Sequence, residues 1–485
     1  MSTSPSQDSS ESRLIYRKGR WIDGWDPENT TQWEREGQKV ANRNLGFSIY
    51  AEFLGFVVWQ LWSIVAVQLQ VKADGSPGPY GFAFTSSQVF WLIAIPSAVG
   101  ATLRFPYTFM IAKLGGRNWT MISAALLLIP TIWMSFAIAN HPMNGVGGTS
   151  WAMMMFVAAL GGFGGGNFAS SMANITFFFP QRTKGWALGL NAAGGNIGAA
   201  VAQFSVPILI SVTAGAVTGI GPNVKNLPIA GWFWILFIVI AIVCAFLFMN
   251  NLSSAKADFA AYGVVFKEPH LWLMSLLYIG TFGSFIGLGG VFPKLINDVF
   301  PNYNTPIHIG TALIALSFLG PLVGSLARPY GGRLADRFGG AWITVIAFLV
   351  MAAGTSAVIA ALKVSSPSFW VFLVCFLVIF VATGVGNGSM YRMIPTVFAY
   401  KDGQMDARTK SAGIATVRKT SAALGIIAAF GAYGGFLMPF LFNLSKNNYG
   451  DYIHVLWWLL ASYVVFLIIT VIAYVVPYAR KGTRV

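Results

Sequence analysis

Apolar segments, each long enough to cross a lipid bilayer as a helix, recur about a dozen times along the 485-residue chain. Hydrophobic residues make up 55% of the sequence and charged residues only 10%, a proportion that cannot cover the surfaces of soluble domains. Because helices satisfy their own backbone hydrogen bonds in lipid, we predict an all-α membrane protein. The predicted spans are 46–70, 88–114, 119–139, 151–178, 185–212, 232–250, 271–293, 309–334, 343–362, 369–398, 411–442 and 452–478.

The formal net charge of +15 raises the question of a nucleic-acid partner. With the N-terminus placed in the cytoplasm, however, most of the 31 Lys and Arg residues fall on inside tails, loops and helix ends. This bias predicts a multi-pass plasma (inner) membrane protein that contacts lipid and binds no nucleic acid. An even number of spans returns the C-terminus to the cytoplasm. No apolar run directly follows the basic group of the N-terminal tail, Arg13, Arg17, Lys18 and Arg20, which excludes an ordinary cleaved signal peptide.

Two related halves are indicated by a repeated pattern. Arg104-Phe105-Pro106-Tyr107 leads to Gly115-Gly116, and Arg328-Pro329-Tyr330 leads to Gly339-Gly340 at the same separation. Parallel repeats of six helices are typical of major facilitator transporters. We predict 12 transmembrane helices in two six-helix bundles. The predicted division is a cytoplasmic tail 1–43, a first bundle 44–250, a cytoplasmic loop 251–268, a second bundle 269–478 and a cytoplasmic tail 479–485.

A charged loop follows the eighth predicted span. The run from Gly331 to Gly340, which includes Arg333, Asp336 and Arg337, resembles the cytoplasmic loop signature of the major facilitator superfamily. The corresponding loop of the first half keeps glycines and Arg117 but has no acid. In that superfamily such loops latch helix ends together in one access state. The alternative interpretation is a solvated turn with positive-inside charge.

Two arginines, Arg104 and Arg328, are the basic residues that we place at bilayer depth, since the others are assigned to tails, loops and helix ends. An arginine at bilayer depth costs at least ~2.5 kcal/mol on an isolated helix, so each should face a cavity and a partner. Two guanidinium groups without nearby acids favour an anion, and their planar forks suit a small flat oxyanion. The structural alternative is that each arginine snorkels to an interface.

Enzymatic and metal chemistry find little support in the sequence. The 4 histidines lie far apart without metal-ligand spacing, and the 2 cysteines are isolated within apolar spans. We therefore predict no enzyme activity, no metal and no cofactor. A membrane receptor without transport is a further class, but it gives no purpose to repeated halves and paired arginines.

A specific resemblance rests on two long motifs. The segment from Gly164 to Pro180, continued by Gly185–Asn191, resembles the first signature of the NarK-type nitrate/nitrite porter family. The segment Gly384–Ser389 matches the second signature, and residues 271–287 agree further. This likeness covers nearly the whole chain and implies alternating-access transport of nitrate and nitrite by a monomer.

The resemblance also implies roles for particular residues. The substrate arginines of the family fall on Arg104 and Arg328, the two that the membrane argument selects. Asn196 and Tyr278 are implied to hydrogen-bond the anion. Three aromatic rings are implied to enclose its plane: Phe56, Phe168 and Phe282.

The carboxylate of Glu52 departs from the exchanger-type pattern, and it is the one we place well inside a span. It lies one helical turn before Phe56 and is a candidate proton carrier, or else a structural partner of Arg104 or Lys419. Nitrate/nitrite exchange is favoured, because repulsion between two empty arginines should resist closure. A proton-coupled nitrate symporter using Glu52 is the alternative, and a porter for another small inorganic oxyanion is a more distant one.

Overall fold

Helices make up most of the molecule. The computed structural model describes residues 14–72, 74–78, 80–142, 147–214, 226–255, 263–401 and 414–479. Within these ranges twelve long helices follow one another. The first six are α1 Gln38–Gln68, α2 Ser86–Leu114, α3 Gly116–Ala139, α4 Trp151–Phe178, α5 Gln181–Val212 and α6 Ile229–Phe248. The second six are α7 Pro269–Val299, α8 Leu319–Phe338, α9 Gly340–Lys363, α10 Phe369–Lys401, α11 formed by Ile414–Ala432 and Gly434–Tyr449, and α12 Ile453–Ala479.

Eleven helical segments among the described residues have the length and apolarity of a membrane span. The remaining long helix, α8, has 20 residues, and four of them carry charged side chains. Such charges are costly in lipid. Arg328 is buried where α8 packs between α5 and α10, whereas the other three lie exposed near the C-terminal end of the helix. The charged side chains of α8 are Arg328, Arg333, Asp336 and Arg337.

Glycines bring helices of each half into close contact. A Cβ added to Gly164 of α4 would lie 2.1 Å from the carbonyl oxygen of Gly55 in α1. In the second half, a Cβ added to Gly384 of α10 would lie 2.1 Å from the carbonyl oxygen of Gly324 in α8. Both glycines belong to the runs singled out in the sequence, so these runs bring helix backbones together as small residues do in membrane bundles.

Part of the predicted tail 1–43 folds onto the first bundle. Strands β1 Ile15–Arg17 and β2 Trp21–Asp23 pair antiparallel, and β2 pairs in parallel with β3 Asn251–Leu252. Arg20 Nε donates to the Met249 carbonyl oxygen at 2.9 Å, at the C-terminal end of α6 where carbonyls lack helical partners. We call the end of the molecule that carries this sheet the tail-side end.

A second small sheet lies at the opposite, hairpin-side end. Strands β4 Ile307–Ile309 and β5 Ala312–Ile314 form an antiparallel hairpin with Gly310 at φ +60°. The prediction that the eighth span begins at residue 309 is therefore wrong, since α8 begins at Leu319. The second strand of the hairpin packs against α5, where the backbone N–H of Leu313 donates to Ser211 Oγ at 3.0 Å, whereas the residues of β4 are exposed.

Other boundaries differ at helix ends. The first helix begins at Gln38 and the seventh continues to Val299, beyond the predicted limits 46 and 293. Apolar composition marks only the part of a helix that lies in lipid, so polar ends were not predicted. Residues 256–262 of the predicted loop 251–268, residues 411–413 of the predicted eleventh span, and residues 480–485 lie outside the described residues.

Several polar contacts join the two halves in the hairpin-side part of the molecule. Gln203 Nε2 of α5 donates to the Gly289 carbonyl oxygen of α7 at 2.6 Å. Asn443 Nδ2 of α11 donates to Ser87 Oγ of α2 at 3.1 Å. These contacts close the hairpin-side end over the centre of the molecule.

Candidate functional site

Arg104 lies fully buried on α2, at the centre of the molecule. Its Nε donates to the Gly165 carbonyl oxygen at 3.0 Å, within its own half. Its Nη1 donates to the Ala428 carbonyl oxygen of α11 at 2.7 Å, across the two halves. The Gly165 carbonyl is reachable because α2 and α4 approach closely: a Cβ on Gly165 would lie 2.9 Å from the Cα of Gly100.

Arg328 lies on α8, and 3% of its surface is exposed. Its Nη2 donates to the Tyr278 hydroxyl at 3.4 Å, a long contact within the second half. The Arg328 Cζ lies 5.1 Å from the centroid of the Tyr391 ring on α10. Both predicted arginines are thus buried in the interior and not turned to an interface, so the snorkelling alternative does not describe them.

One aromatic ring lies between the two arginines. The Phe168 ring centroid is 4.6 Å from Cζ of Arg104 and 5.6 Å from Cζ of Arg328. The Phe282 ring stacks on Phe168 at 5.9 Å, and the Phe56 ring meets Phe168 edge-on at 6.1 Å. The three rings predicted to enclose an anion are therefore in contact with one another, between guanidinium groups from opposite halves.

A short π-helical segment, Ile279–Gly283, interrupts α7 next to the arginines. It carries Phe282, and Tyr278 directly precedes it; their rings stack at 5.4 Å. Segments of this kind often occur at functional sites, because the extra residue redirects side chains from the regular helical path.

Three of the predicted site residues carry buried polar atoms without a hydrogen-bond partner in the described part of the chain. Within the described residues, Arg104 Nη2 and Arg328 Nη1 have no hydrogen-bond partner, although both are buried. The same holds there for both amide atoms of Asn196, a residue of α5 that is 1% exposed. Because a buried unpaired polar group costs ~1–3 kcal/mol, such groups are normally paired with protein, water or ligand. Both guanidinium groups therefore keep a donor that a bound anion could use.

Glu52 belongs to a buried network in the first half. Asn191 Nδ2 donates to Glu52 Oε2 at 2.7 Å and to Ser171 Oγ at 2.6 Å. Ser171 in turn contacts Ser48 Oγ at 2.9 Å. Glu52 Oε1 has no hydrogen-bond partner among the described residues. The carboxylate rests on Gly195, whose added Cβ would lie 2.3 Å from Oε1.

Neither structural partner proposed for Glu52 contacts it in the described part of the chain. Arg104 bonds to carbonyl oxygens, and Lys419 Nζ lies 2.9 Å from Glu268 Oε1. Glu52 is therefore a buried acid whose described hydrogen-bond donor is the neutral amide of Asn191.

The predicted latch residues have different partners from one half to the other. Arg117 is buried, donates from Nε to the Phe246 carbonyl oxygen at 2.9 Å, and joins α3 to the end of α6. Asp336 of α8 forms an ion pair with Arg392 of α10. The described partner of Asp336 is thus Arg392, a residue that the sequence had not singled out.

Arg333 and Arg337 were also predicted to latch helix ends together, but their described contacts lie within one helix. Cζ of Arg333 lies 5.8 Å from the Tyr330 ring, and Cζ of Arg337 lies 5.2 Å from the Phe338 ring. Both rings belong to α8 itself, so these contacts do not join one helix to another.

A buried lysine was also missed. Lys294 of α7 is 0% exposed and forms an ion pair with Asp298 one turn later. The seventh span was predicted to end at residue 293, which placed both charges outside the membrane. The described residues contain no group of three or more His, Cys, Asp or Glu side chains that could hold a metal ion.

Comparisons with known proteins agree with this geometry. The family model of the Major Facilitator Superfamily matches residues 51–417. The nitrate/nitrite transporter NarU of Escherichia coli (strain K12) is 37% identical over 479 residues, 96% of this chain and 98% of the relative. The "Probable nitrate/nitrite antiporter NarK2" of Thermus thermophilus is 32% identical over 451 residues, 90% of this chain and 93% of the relative.

Solved structures add the fold. A bacterial homolog to the human lysosomal transporter Spinster, inward-facing and occupied, has a TM-score of 0.56 at 16% identity and covers 88% of this chain and 94% of its own. The transporter FucP in the outward conformation has a TM-score of 0.56 at 13% identity, with 88% and 97% covered. At these identities the likeness concerns the fold alone. The chain belongs to the nitrate/nitrite porter family of the Major Facilitator Superfamily and has the predicted major facilitator fold.

Proposed function

We propose that the protein transports nitrate and nitrite across the membrane by alternating access. The observation that carries this proposal is the pair of buried guanidinium groups, Arg104 and Arg328, one from each half. Each has a nitrogen without a partner among the described residues, and both lie against the Phe168 ring. The names of the two relatives, a nitrate/nitrite transporter and a probable nitrate/nitrite antiporter, support the same substrates.

Nitrate suits this arrangement by charge and shape. A single negative charge would be attracted by two cations, and a flat anion can accept paired N–H bonds from a guanidinium fork on either side. The flat faces of Phe168 and Phe282, whose rings stack at 5.9 Å, suit contact with a planar anion better than with a tetrahedral one. Asn196 and Tyr278 would complete the hydrogen bonds at the rim.

Exchange follows from the same charges. Without an anion, Arg104 and Arg328 repel each other across the two halves, which opposes closure of the empty carrier. A bound anion removes this repulsion, so the halves reorient mainly when loaded. We propose that the protein works as a monomer in the plasma membrane, with both termini in the cytoplasm.

Counterflow in proteoliposomes tests the proposal. Labelled nitrate should enter vesicles loaded with nitrite or nitrate much faster than empty vesicles, with no applied pH gradient. Equal uptake into loaded and empty vesicles would contradict exchange, and no uptake under any condition would contradict nitrate transport itself. Vesicles without protein give the leak rate.

A second candidate, proton-coupled nitrate symport, is favoured by the state of Glu52. Its Oε1 lacks a partner within the described chain, and a proton there would remove a buried negative charge. The distinguishing measurement is the pH inside vesicles loaded with a pH-sensitive dye. Acidification that accompanies nitrate entry into nitrite-free vesicles supports symport, whereas uptake that requires internal nitrite or nitrate and leaves the internal pH unchanged supports exchange.

A further inference from the structure

The Lys294–Asp298 pair occupies the boundary between the two halves at the hairpin-side end. Lys294 Nζ donates to Ser86 Oγ, in the first turn of α2, at 3.0 Å. It also lies 5.0 Å from the centroid of the Phe90 ring, one turn further along α2. A lysine of the second half is therefore enclosed by residues of the first half.

Asp298 neutralises this lysine without crossing between the halves. It accepts hydrogen bonds from Lys294 and from the Tyr452 hydroxyl, both of the second half. Asn297 Nδ2 donates to its other oxygen at 3.3 Å. The charged pair lies within one helix, so it can stay intact when the two halves separate. Within this cluster, the contacts that must break are those of Lys294 with Ser86 and Phe90 and the contact of the Tyr452 ring with Phe90 at 6.2 Å.

We propose that Lys294 is the closing element of the hairpin-side gate, which fastens α7 to the first turn of α2 and releases it once in each transport cycle. A buried ion pair is weak evidence for stability, because desolvation offsets much of its attraction. It does suit a contact that must open, since water can solvate both charges again when the halves part. An apolar contact of similar area would instead lose ~25 cal/mol per Å² on exposure.

The rest of the hairpin-side closure fits this role. Ser87, next to Ser86, accepts from Asn443 Nδ2 of α11 at 3.1 Å. The start of α2 is therefore held on two sides by the second half. Deeper in, Gly435 of α11 faces Ser97 of α2, and a Cβ on Gly435 would lie 2.8 Å from Ser97 Oγ. A reagent can reach Ser97 from the hairpin side only when α2 and α11 separate.

Cysteine labelling at position 97 tests the gate without assuming any substrate. The reporter is Ser97→Cys, in a background where Cys244 and Cys375 are alanine, reconstituted in vesicles. An impermeant maleimide is added to the hairpin-side face. We expect the double variant Lys294→Met with Asp298→Asn to label about tenfold faster, because it removes a charge-assisted bond between the halves.

A charge exchange separates the gate from a purely structural role. Lys294→Asp with Asp298→Lys keeps the pair within α7 but moves the ammonium by one turn, roughly 6 Å along the helix axis. We expect faster labelling with an unchanged thermal unfolding midpoint. Labelling at the parent rate would overturn the proposal, since the pair would then act only within its own helix.

Two further variants keep the test decisive. Ser86→Ala leaves both charges in place and should label about fivefold faster; an unchanged rate in this variant would overturn the gate even where a charge variant fails to insert. The matched control is Lys363→Met, an exposed lysine of α9 whose Nζ lies 5.3 Å from the Trp457 ring within the second half. Its labelling rate should not change. Faster labelling in these variants of a protein that shows no nitrate counterflow would contradict the proposed substrate but still support the gate.

Discussion

The two halves hold their arginines in different ways, although a similar motif introduces both. Arg104 donates to two backbone carbonyls, those of Gly165 and Ala428, at 3.0 and 2.7 Å. For Arg328 the described hydrogen bond is a single long one of 3.4 Å to the Tyr278 hydroxyl, beside ring contacts with Tyr391 and Phe168. The repeated motif has therefore placed an arginine in each half, but the two arginines differ in the number and length of their hydrogen bonds.

This difference assigns the two arginines separate tasks. Ala428 belongs to the second half, so the hydrogen bond from Arg104 joins the two halves. The hydrogen bond of Arg328 stays within its own half. Buried carbonyl acceptors are strong partners for a guanidinium, and they fix its position. An arriving anion would therefore meet a guanidinium group held in place, that of Arg104, and a more loosely held one, that of Arg328. The Arg328 side chain can follow the anion as the halves move.

Replacement of either arginine by lysine should have the largest effect. We expect Arg104→Lys and Arg328→Lys each to reduce nitrate counterflow at least about a hundredfold, because lysine keeps the charge but loses the planar fork. The asymmetry should appear in stability. Arg104→Lys should lower the free energy of unfolding by ~1–3 kcal/mol more than Arg328→Lys, since a buried carbonyl loses its donor.

Thermal unfolding in detergent and counterflow on the same preparations check this pair. Lys363→Met, remote from the arginines, is the control for both measurements. Normal counterflow by Arg328→Lys would contradict the proposed anion site, and equal stabilities would contradict the difference in attachment.

Phe282→Ala should give the next largest effect. The Phe282 ring lies 5.2 Å from Cζ of Arg104 and stacks on Phe168, so it supports the rigid side of the site. Without it the site should accept thicker anions, and we expect the preference for nitrate over sulfate to fall about tenfold. Competition of unlabelled sulfate with labelled nitrate measures this preference. Phe285→Ala, whose ring lies one turn beyond at 6.2 Å from Phe282, is the matched control.

Much of the fold could be predicted because lipid imposes simple rules. Length and apolarity of segments give helices, and the number of helices follows. The rules failed where helices leave the apolar layer. The apolar hairpin of Ile307–Ile309 and Ala312–Ile314 was read as the start of a helix, and polar Lys294 and Asp298 were read as the end of one.

The arginines and rings were predictable for different reasons. Arg104 and Arg328 are unfavourable in lipid and therefore conspicuous, but an aromatic ring in a membrane helix is ordinary, so Phe168 needed a family motif. The hydrogen-bond partners of the two arginines could be predicted neither from the membrane argument nor from the family motif. Whether a guanidinium meets a carbonyl depends on how closely two helix backbones approach, as at Gly165 and Gly100.

Glu52→Gln sharpens the comparison on the side of Arg104, since Glu52 belongs to the same half. Glutamine keeps an oxygen that can accept from Asn191 Nδ2, so the network should survive. We expect nitrate/nitrite exchange to stay within about twofold of the parent, while proton movement coupled to nitrate, where present, is lost. Counterflow of labelled nitrate measures the exchange, and vesicles loaded with the pH-sensitive dye measure the proton movement. Coupled proton movement that persists in Glu52→Gln would exclude this residue as the carrier.

The smallest effect should come from the latch of the second half, which again differs from the first. Asp336 and Arg392 are 55% and 53% exposed, and exposed ion pairs contribute little. Arg117 is 7% exposed and holds the α6 carbonyl of Phe246. We therefore expect Asp336→Asn to change the exchange rate by about twofold or less. Arg117→Ala should lower the exchange rate more than this and should also lower the unfolding temperature. A larger loss of exchange in Asp336→Asn than in Arg117→Ala would mean that the exposed pair controls reorientation, and that burial is the wrong guide to which half carries the latch.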